Sequence, residues 1–186
     1  MKKIFIWIAI ITIFSTVFLL TNHQKLPTKD DVFNITKNQS PVIEEVYFVR
    51  KIEGEWLTIF GNNHSIMIAR LEQNWLDNWE IKNDNGGKTS IAASEYPPSL
   101  NDELSWSAGS KGKTSHYFGQ IINLNIKKVE VETQKNFFED ALIISSGEDR
   151  FFLTRTNREL QMPVNIRGYS ETGKLIYSTS KKGKFD

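Results

Sequence analysis

Residues 46–60 have the sequence VYFVRKIEGEWLTIF, and this stretch decides the fold class. Two runs of aromatic and β-branched residues, 46–52 and 55–60, are separated by the turn dipeptide Glu53–Gly54. Side chains of these types favour strands because they pack well on a pleated surface. Two such runs joined by a short turn that contains glycine predict a β-hairpin.

The same pattern continues along most of the chain. Short runs separated by turn residues predict a mainly β fold, either a sandwich-like or a partly closed barrel domain. A helix over residues 69–79 is the alternative in one place, because Leu71, Trp75 and Trp79 recur at a helical spacing. The strongest turn, NDNGG, is expected at residues 83–87. The further strands are predicted at residues 65–71, 79–82, 89–93, 104–108, 115–122, 126–133, 137–145, 150–155, 164–169 and 174–179.

The N-terminal segment carries a membrane-targeting signal. Lys2 and Lys3 precede an uncharged, mostly apolar run over residues 4–20. A membrane-spanning helix needs roughly 17 to 25 apolar residues, so the length of this run is at the short end of that range. No pair of small residues follows the run to form a peptidase site, so a retained signal anchor over residues 1–21 is predicted, with a cleaved signal peptide as the alternative. Positively charged residues that flank a membrane segment stay on the cytoplasmic side. The chain is therefore expected to be a single-pass membrane protein with its N-terminus in the cytoplasm and its C-terminal domain outside the cell membrane. The alternative is secretion.

The rest of the chain divides by composition into a stalk and a β-rich part. Residues 22–41 are polar and contain Pro27 and Pro41, which predicts a stalk. Residues 42–186 are predicted to form an extracytoplasmic β-rich domain. The segment 96–102, which contains two consecutive prolines, is the candidate boundary between two sub-domains.

Charge and cysteine content exclude several classes. Lys2 and Lys3 account for two of the 23 basic residues, so the remainder is close to neutral against 22 acidic residues. A nucleic-acid partner is not expected, because such proteins need a basic face. The chain has no cysteine, so an exported domain must rely on its hydrophobic core rather than on disulfides. A Gram-positive bacterial origin is favoured.

The chemistry-bearing residues do not assemble into a recognisable catalytic or metal motif. His64 and His116 lack a second histidine at ligand spacing, and zinc needs three or four ligands. No cofactor, metal site or catalytic residue is predicted. An enzyme would require a cleft that gathers one of these histidines with carboxylates such as Asp77, Glu95 or Asp102.

Tryptophan is the most informative residue type of the predicted outer domain. Core packing is the simpler interpretation of each of the four, Trp56, Trp75, Trp79 and Trp106. Trp75 and Trp79 have polar neighbours, so they are the first choice for a surface patch that stacks on a sugar or a peptide. The candidate ligand-binding residues are Trp75, Trp79, Asn74 and Asp77.

Several segments resemble known proteins. The runs YFGQI (117–121), NIKKVEV (125–131), PVNIRGY (163–169) and GKLIY (173–177) are similar to sequences of uncharacterised, small, anchored or exported β-domain proteins of spore-forming Gram-positive bacteria. The resemblance covers about residues 42–180. It implies location and class, and it assigns no functional residue.

These observations together predict a noncatalytic extracytoplasmic accessory protein. It is expected to bind a protein partner or a cell-envelope polymer through an aromatic patch or an open sheet edge. The alternatives are an envelope hydrolase or hydrolase inhibitor, and a structural subunit of a membrane complex.

Overall fold

The computed structural model describes residues 2–22, 25–37, 42–82, 90–99 and 101–181. Within these ranges the chain forms two helices, thirteen strands and a short 3-10 helix. The helices are α1 (Lys2–Asn22) and α2 (Lys29–Thr36). The strands are β1 (Glu45–Ile52), β2 (Glu55–Gly61), β3 (Ser65–Gln73), β4 (Trp79–Ile81), β5 (Ala92–Glu95), β6 (Leu104–Lys111), β7 (Thr114–Ile121), β8 (Lys128–Gln134), β9 (Phe137–Asp140), β10 (Leu142–Ser146), β11 (Asp149–Thr156), β12 (Ile166–Tyr169) and β13 (Leu175–Ser178).

The strands form three antiparallel sheets. The N-terminal sheet has the order β1-β2-β3-β4, and β5 pairs with β3 beside β4. The central sheet has the order β10-β11-β7-β6, and the C-terminal sheet has the order β13-β12-β8-β9. All three sheets are built from hairpins and antiparallel pairs, as the many short turns of the sequence favour.

The central sheet is buried on both faces. Phe118 and Phe151 point towards the N-terminal sheet and share a core with Leu57. Tyr117 and Phe152, each one residue away, belong to a second core shared with the C-terminal sheet. Successive side chains of a strand point to opposite faces, so β7 and β11 contribute to both cores. The three sheets therefore pack as a stack.

The strand predictions agree with the structure in most places, and the mainly β class is confirmed. The predicted hairpin is β1 and β2, paired from Ile52 and Glu55 outwards. The helical alternative for residues 69–79 is wrong, because this stretch contains the end of β3, a loop and the start of β4. The turn predicted at residues 83–87 lies outside the described residues.

One predicted strand is divided between two sheets. Residues 137–145 were expected to be continuous, but the chain leaves the C-terminal sheet after β9 and enters the central sheet as β10. Ala141 lies between the two strands and donates its backbone N–H to Val129 O at 2.8 Å. The crossing is made without a turn residue, so the sequence contains no signal for it.

The segment predicted to be a stalk contains a packed helix. Thr28 and Asp31 form a capping box, in which the Thr28 hydroxyl accepts from Asp31 N–H and the Asp31 carboxylate accepts from Thr28 N–H. This arrangement satisfies the free N–H groups at a helix start. Val32 and Thr36, one helical turn apart, are both fully buried. Residues 29–36 are therefore part of the folded unit and cover the outer face of the N-terminal sheet.

The predicted N-terminal helix is present as α1, but the prediction that it spans a membrane is not supported. In the part of the chain that the structure describes, no helix is both long enough and apolar enough to cross a membrane. Within α1, the Thr12 and Thr16 hydroxyls donate to the backbone oxygens of Ile8 and Thr12.

The predicted boundary at residues 96–102 lies in the connection from β5 to β6. The chain passes there from the N-terminal sheet to the central sheet. Because the central sheet shares a core with each of its neighbours, this connection links two layers of one stack.

Candidate functional site

The loop of residues 74–78 between β3 and β4 carries three of the four predicted ligand-binding residues. The Asn74 side-chain oxygen accepts hydrogen bonds from the backbone N–H of Leu76 at 2.9 Å and of Asn78 at 3.1 Å. Asp77 has a left-handed backbone conformation with a φ of 60°. An asparagine that closes its own turn in this way fixes the shape of the loop. Trp75, which is 83% exposed, is thereby held in solvent.

Trp79 has a different environment from Trp75. It begins β4, is half-buried, and meets Trp56 edge-on with ring centroids 6.0 Å apart. Its indole N–H donates to Lys25 O at 3.2 Å. Both Trp56 and Trp79 pack against the core beneath α2. Trp75 is therefore a solvent-exposed ring, whereas Trp79 is half-buried against Trp56. The ligand-binding patch proposed for both residues stays a prediction.

A groove of about 300 Å³ lies beside Trp56 and Trp79. We call it the tryptophan groove. Its walls combine the two indole rings with the charged residues Glu55, Arg70 and Glu72, so it presents both apolar faces and hydrogen-bonding groups. The residues that line it are Gly54, Glu55, Trp56, Arg70, Leu71, Glu72, Gln73 and Trp79.

Glu55 is held between two arginines that come from different sheets. Arg70 Nη1 lies 2.7 Å from one carboxylate oxygen, and Arg155 Nε lies 3.1 Å from the other. Arg155 also donates to Glu53 at 2.7 Å. Burial alone would raise the pKa of the Glu55 carboxyl, but the guanidinium groups of Arg155 and Arg70 hold it below its usual value. The charges at this end of the groove are thus paired and fixed in place.

His116 lies on β7 and is only 2% exposed. Neither ring nitrogen has a hydrogen-bond partner among the described residues. Burial lowers the pKa of His116 to about 4, the nearby Glu55 opposes this, and Arg155 and Arg70 reinforce it. The imidazole is therefore neutral at physiological pH and is closed off from solvent.

The other residues considered for catalysis do not share a cavity, although the pairing of β3 with β5 brings the backbone of His64 beside that of Glu95, and His64 O accepts from Tyr96 N–H at 2.9 Å. His64 is exposed in the turn between β2 and β3, where Asn62 accepts its backbone N–H at 2.8 Å. Asp77 lies in the tryptophan-bearing loop, whereas Glu95 and Asp102 line a separate cavity. Neither histidine is gathered with these three carboxylates in a cavity that the structure describes. Over the described ranges, no group of three or more histidine and carboxylate side chains is placed to hold a metal ion.

The charge network around Glu55 was missed at the level of sequence. Arg70 and Glu72 are two residues apart on β3 and so project from the same face of that strand, whereas Glu53 and Glu55 flank Gly54 at the turn between β1 and β2. This spacing is a readable signal for paired charges on a strand. The register between β2 and β3, which places Leu57 opposite Arg70, decides which charged residues meet. The spacing of charges along one strand does not reveal that register.

Comparison of the chain with models of protein families, with curated proteins and with solved structures found no match. The similarity to exported β-domain proteins noted above therefore stays a prediction.

Proposed function

We propose that this protein is a noncatalytic accessory protein of the cell envelope that binds a glycan polymer through Trp75 and the tryptophan groove. The observation that carries the proposal is the exposed indole of Trp75 on a loop whose shape is fixed by Asn74. A large aromatic ring held in water is typical of surfaces that meet a ligand or a partner, because contact removes its apolar area from solvent.

The composition of the tryptophan groove favours a sugar chain over a flat protein surface. The rings of Trp56 and Trp79 offer apolar faces against which the C–H groups of a sugar ring can pack. Glu55, Arg70 and Glu72 supply acceptors and donors for the hydroxyl groups of the sugar. Ligand sites commonly combine an apolar wall with a few convergent polar groups.

Binding without turnover is favoured by the location of the titratable groups. A general base must be within hydrogen-bond reach of its substrate, and His116 is enclosed between sheets. Both carboxylates that line the groove are ion-paired, Glu55 with Arg70 and Arg155, and Glu72 with Arg70 and Lys82. The groups that line the groove therefore suit recognition better than proton transfer.

We further propose that residues 1–21 direct the protein to the cell membrane and that the β-rich part functions outside. Support comes from Lys2 and Lys3, which precede the apolar run, and from the exposed apolar side chains along α1. The exposed ones are Ile4, Phe5, Ile6, Trp7, Ile8, Ile10, Ile11, Ile13, Phe14 and Val17. Protease added to intact protoplasts is expected to digest the β-rich part. A protected chain in the cytosolic fraction would contradict this location.

Sedimentation with insoluble envelope glycan tests the binding function. The full chain, in detergent, is expected to sediment with peptidoglycan sacculi. Trp75→Ala is expected to weaken retention at least about fivefold, because losing about 1 kcal/mol of aromatic contact corresponds to that factor. Phe137→Ala is the matched control, since Phe137 is another exposed aromatic residue but lies on β9 of the C-terminal sheet.

Two results would contradict a glycan ligand. One is the absence of retention by sacculi for the wild-type chain. The other is equal loss in Trp75→Ala and Phe137→Ala, which would indicate nonspecific adhesion of aromatic surface. If the chain instead retains a protein partner in the absence of glycan, and Trp75→Ala abolishes this retention, the ligand of the same patch is a protein.

A further inference from the structure

One end of the stack of sheets lies next to the end of α1. The Trp79 indole N–H donates to Lys25 O at 3.2 Å, and Trp79 directly follows the loop of residues 74–78. Asn22, the last residue of α1, precedes Lys25 by three positions, so the Cα atoms of these two residues are at most about 11 Å apart. The chain therefore holds the loop of residues 74–78 near the helix proposed above to reach the membrane.

A turn of the central sheet lies at the same end. Arg155, the penultimate residue of β11, forms an ion pair of 2.7 Å with Glu53 in the turn between β1 and β2. It also lies opposite His116, near the start of β7. The turn of residues 112–113, which joins β6 to β7, is therefore at this end as well.

The C-terminal sheet adds a further turn to this end. Arg158, two residues after the end of β11, has its guanidinium carbon 5.9 Å from the centre of the Phe137 ring. Phe137 begins β9 and follows the turn of residues 135–136. We call this surface the proximal end of the stack. It comprises residues 25–26, 53–54, 74–78, 112–113, 135–137 and 157–159.

Apolar side chains project into solvent from the proximal end. Trp75, Leu76 and Phe137 are each at least half exposed, although they come from loops of two different sheets. Leu26, next to Lys25, is exposed to the same degree. Exposed apolar residues that gather on one surface mark a site of interaction with a protein or a membrane. Aromatic residues among them suit the headgroup level of a bilayer.

The exposed charges without an ion pair at the proximal end are mostly positive. Lys113, Lys135 and Arg158 are exposed, and none of them has an ion pair within the described ranges. Among the exposed acids of this end, Glu53 is paired with an arginine, whereas Glu159 is not. The cations that are available to a partner therefore outnumber the available carboxylates.

The opposite end of the stack has the reverse charge. Because antiparallel strands run between the two ends, the connections at their other ends lie there. We call this surface the distal end, and it comprises residues 96–99, 101–103, 122–127, 147–148 and 170–174. Its charged side chains are Asp102, Glu103, Glu148 and Glu171 against Lys127 and Lys174. An anionic surface therefore attracts the proximal end and repels the distal end.

We propose that the proximal end is a docking surface for an anionic lipid bilayer. Proteins that lie on a membrane combine buried apolar side chains with basic residues that meet the lipid phosphates, and Leu76 and Phe137 with Lys113 and Lys135 supply this combination. The proposal rests on the membrane location proposed above, because α1 supplies the tether. Since Trp75 lies at the same end, the glycan that it binds is expected to be at the membrane surface.

Fluorescent labels on single cysteines test this orientation. The chain has no cysteine, so Leu76→Cys at the proximal end and Glu171→Cys at the distal end can each be labelled at one position. The labelled full chain is reconstituted into vesicles of equal parts phosphatidylcholine and phosphatidylglycerol that contain a headgroup-linked nitroxide quencher. The label at position 76 is expected to be quenched at least about twofold more than the label at position 171, because only the first reaches the headgroups.

Charge reversal tests the contribution of the lysines. Lys113→Glu combined with Lys135→Glu is expected to lower the quenching at position 76 about twofold or more, because the attraction to anionic lipid becomes repulsion. Lys127→Glu combined with Lys174→Glu is the matched control, since it makes the same change of charge at the distal end and should leave the quenching unchanged. Vesicles of phosphatidylcholine alone should also reduce the quenching at position 76.

Equal quenching at positions 76 and 171, in chains that float with the vesicles, overturns the docking surface and leaves the membrane location standing. Equal effects of the two double variants overturn it as well. Chains that do not float with vesicles overturn both proposals. Urea unfolding of each variant in detergent separates loss of docking from loss of folding. If glycan sedimentation fails while position 76 is quenched, only the function assigned to the tryptophan groove falls.

Discussion

At the scale of single residues, His116 is a side chain whose environment departs strongly from its usual one, because it is buried with its ring nitrogens unpaired. It faces the N-terminal sheet from β7, with Glu53, Glu55 and Arg70 on that sheet and Arg155 opposite it on β11. Burial dominates over the attraction of the two glutamates, so the folded protein holds the ring neutral.

This environment predicts a dependence of stability on pH. The ring titrates near 6.5 in the unfolded chain and near 4 in the folded protein. Between these values the unfolded chain binds a proton that the folded protein does not. The free energy of unfolding should therefore be undiminished above pH 6.5 and fall as the pH is lowered to 4, by on the order of 3 kcal/mol.

Urea unfolding at a series of pH values measures this effect. His116→Leu should flatten the dependence between pH 6.5 and about 4.5, whereas the exposed His64→Ala should keep the decline of the wild type. Below about pH 4.5 the loss of the Glu55 ion pairs adds a further decline in both variants, because the pKa of that carboxyl is lowered in the folded state. An unchanged slope in His116→Leu would show that another group controls the window.

The candidate site was only partly predictable from its residues. The polar surroundings of Trp75 indicated exposure correctly, because an apolar residue between Asn74 and Asp77 has no apolar stretch to join. The same argument treated Trp79 as equivalent, although the strand that begins there turns its ring onto Trp56. The burial of His116 could not be predicted, because its face of β7 is enclosed by the N-terminal sheet, whose position no local pattern indicates.

At the scale of elements, glycine at position 119 is required by the approach of two strands. A Cβ atom on Gly119 would lie 2.1 Å from Ser105 O and 2.7 Å from Trp106 Cα, both on β6. The backbone of β6 is paired with β7 from Leu104 to Lys111, so it cannot move away as a flexible side chain can. The pairing of β6 with β7 therefore depends on the absence of a side chain here.

Gly119→Ala is expected to lower the free energy of unfolding by roughly 3 kcal/mol, since overpacking at a rigid position is strongly destabilising. Gly54→Ala is the comparison, because Gly54 has a φ of +87° but no atom within 4 Å of an added Cβ. Its cost should be about 1 kcal/mol, from backbone conformation alone. Urea unfolding measures both, and equal losses would refute a steric cause at position 119.

Elements with a strong local pattern were predicted well, whereas short elements and short breaks were missed. Strands β1, β2 and β7 were recognised because runs of branched and aromatic residues end at turn residues. Helix α2 was missed although Thr28 and Asp31 form a capping pattern, because its polar composition resembled a stalk. The break at Ala141 was missed because alanine carries no turn signal.

At the scale of the whole molecule, the stack of three sheets could not be read from the sequence. Which strand lies beside which depends on contacts between residues far apart in the chain, and alternation within a strand does not specify the partner. Continuous burial over residues 57–61 in β2, 115–119 in β7 and 151–154 in β11 marks strands that are enclosed on both faces.

The shared central sheet predicts that the β-rich part unfolds as one unit. Removing either outer sheet would expose Phe118 or Tyr117 and their neighbours, so neither core is stable without the other. Tryptophan fluorescence and far-UV circular dichroism should give coincident urea transitions. Phe118→Ala should shift both signals to lower urea together, whereas a shift in one signal alone would indicate two independent sub-domains.

The two-faced central sheet also has an evolutionary consequence. Tyr117 and Phe118 are neighbours in the chain, yet the first shares its core with Val131 and the second with Leu57. Because side chains in separate cores contribute to stability almost additively, selection can vary the two adjacent positions independently of each other. Compensating substitutions should instead link Phe118 with positions in the N-terminal sheet, some sixty residues earlier, and Tyr117 with positions in the C-terminal sheet. Successive residues of β7 should therefore covary with alternate sheets.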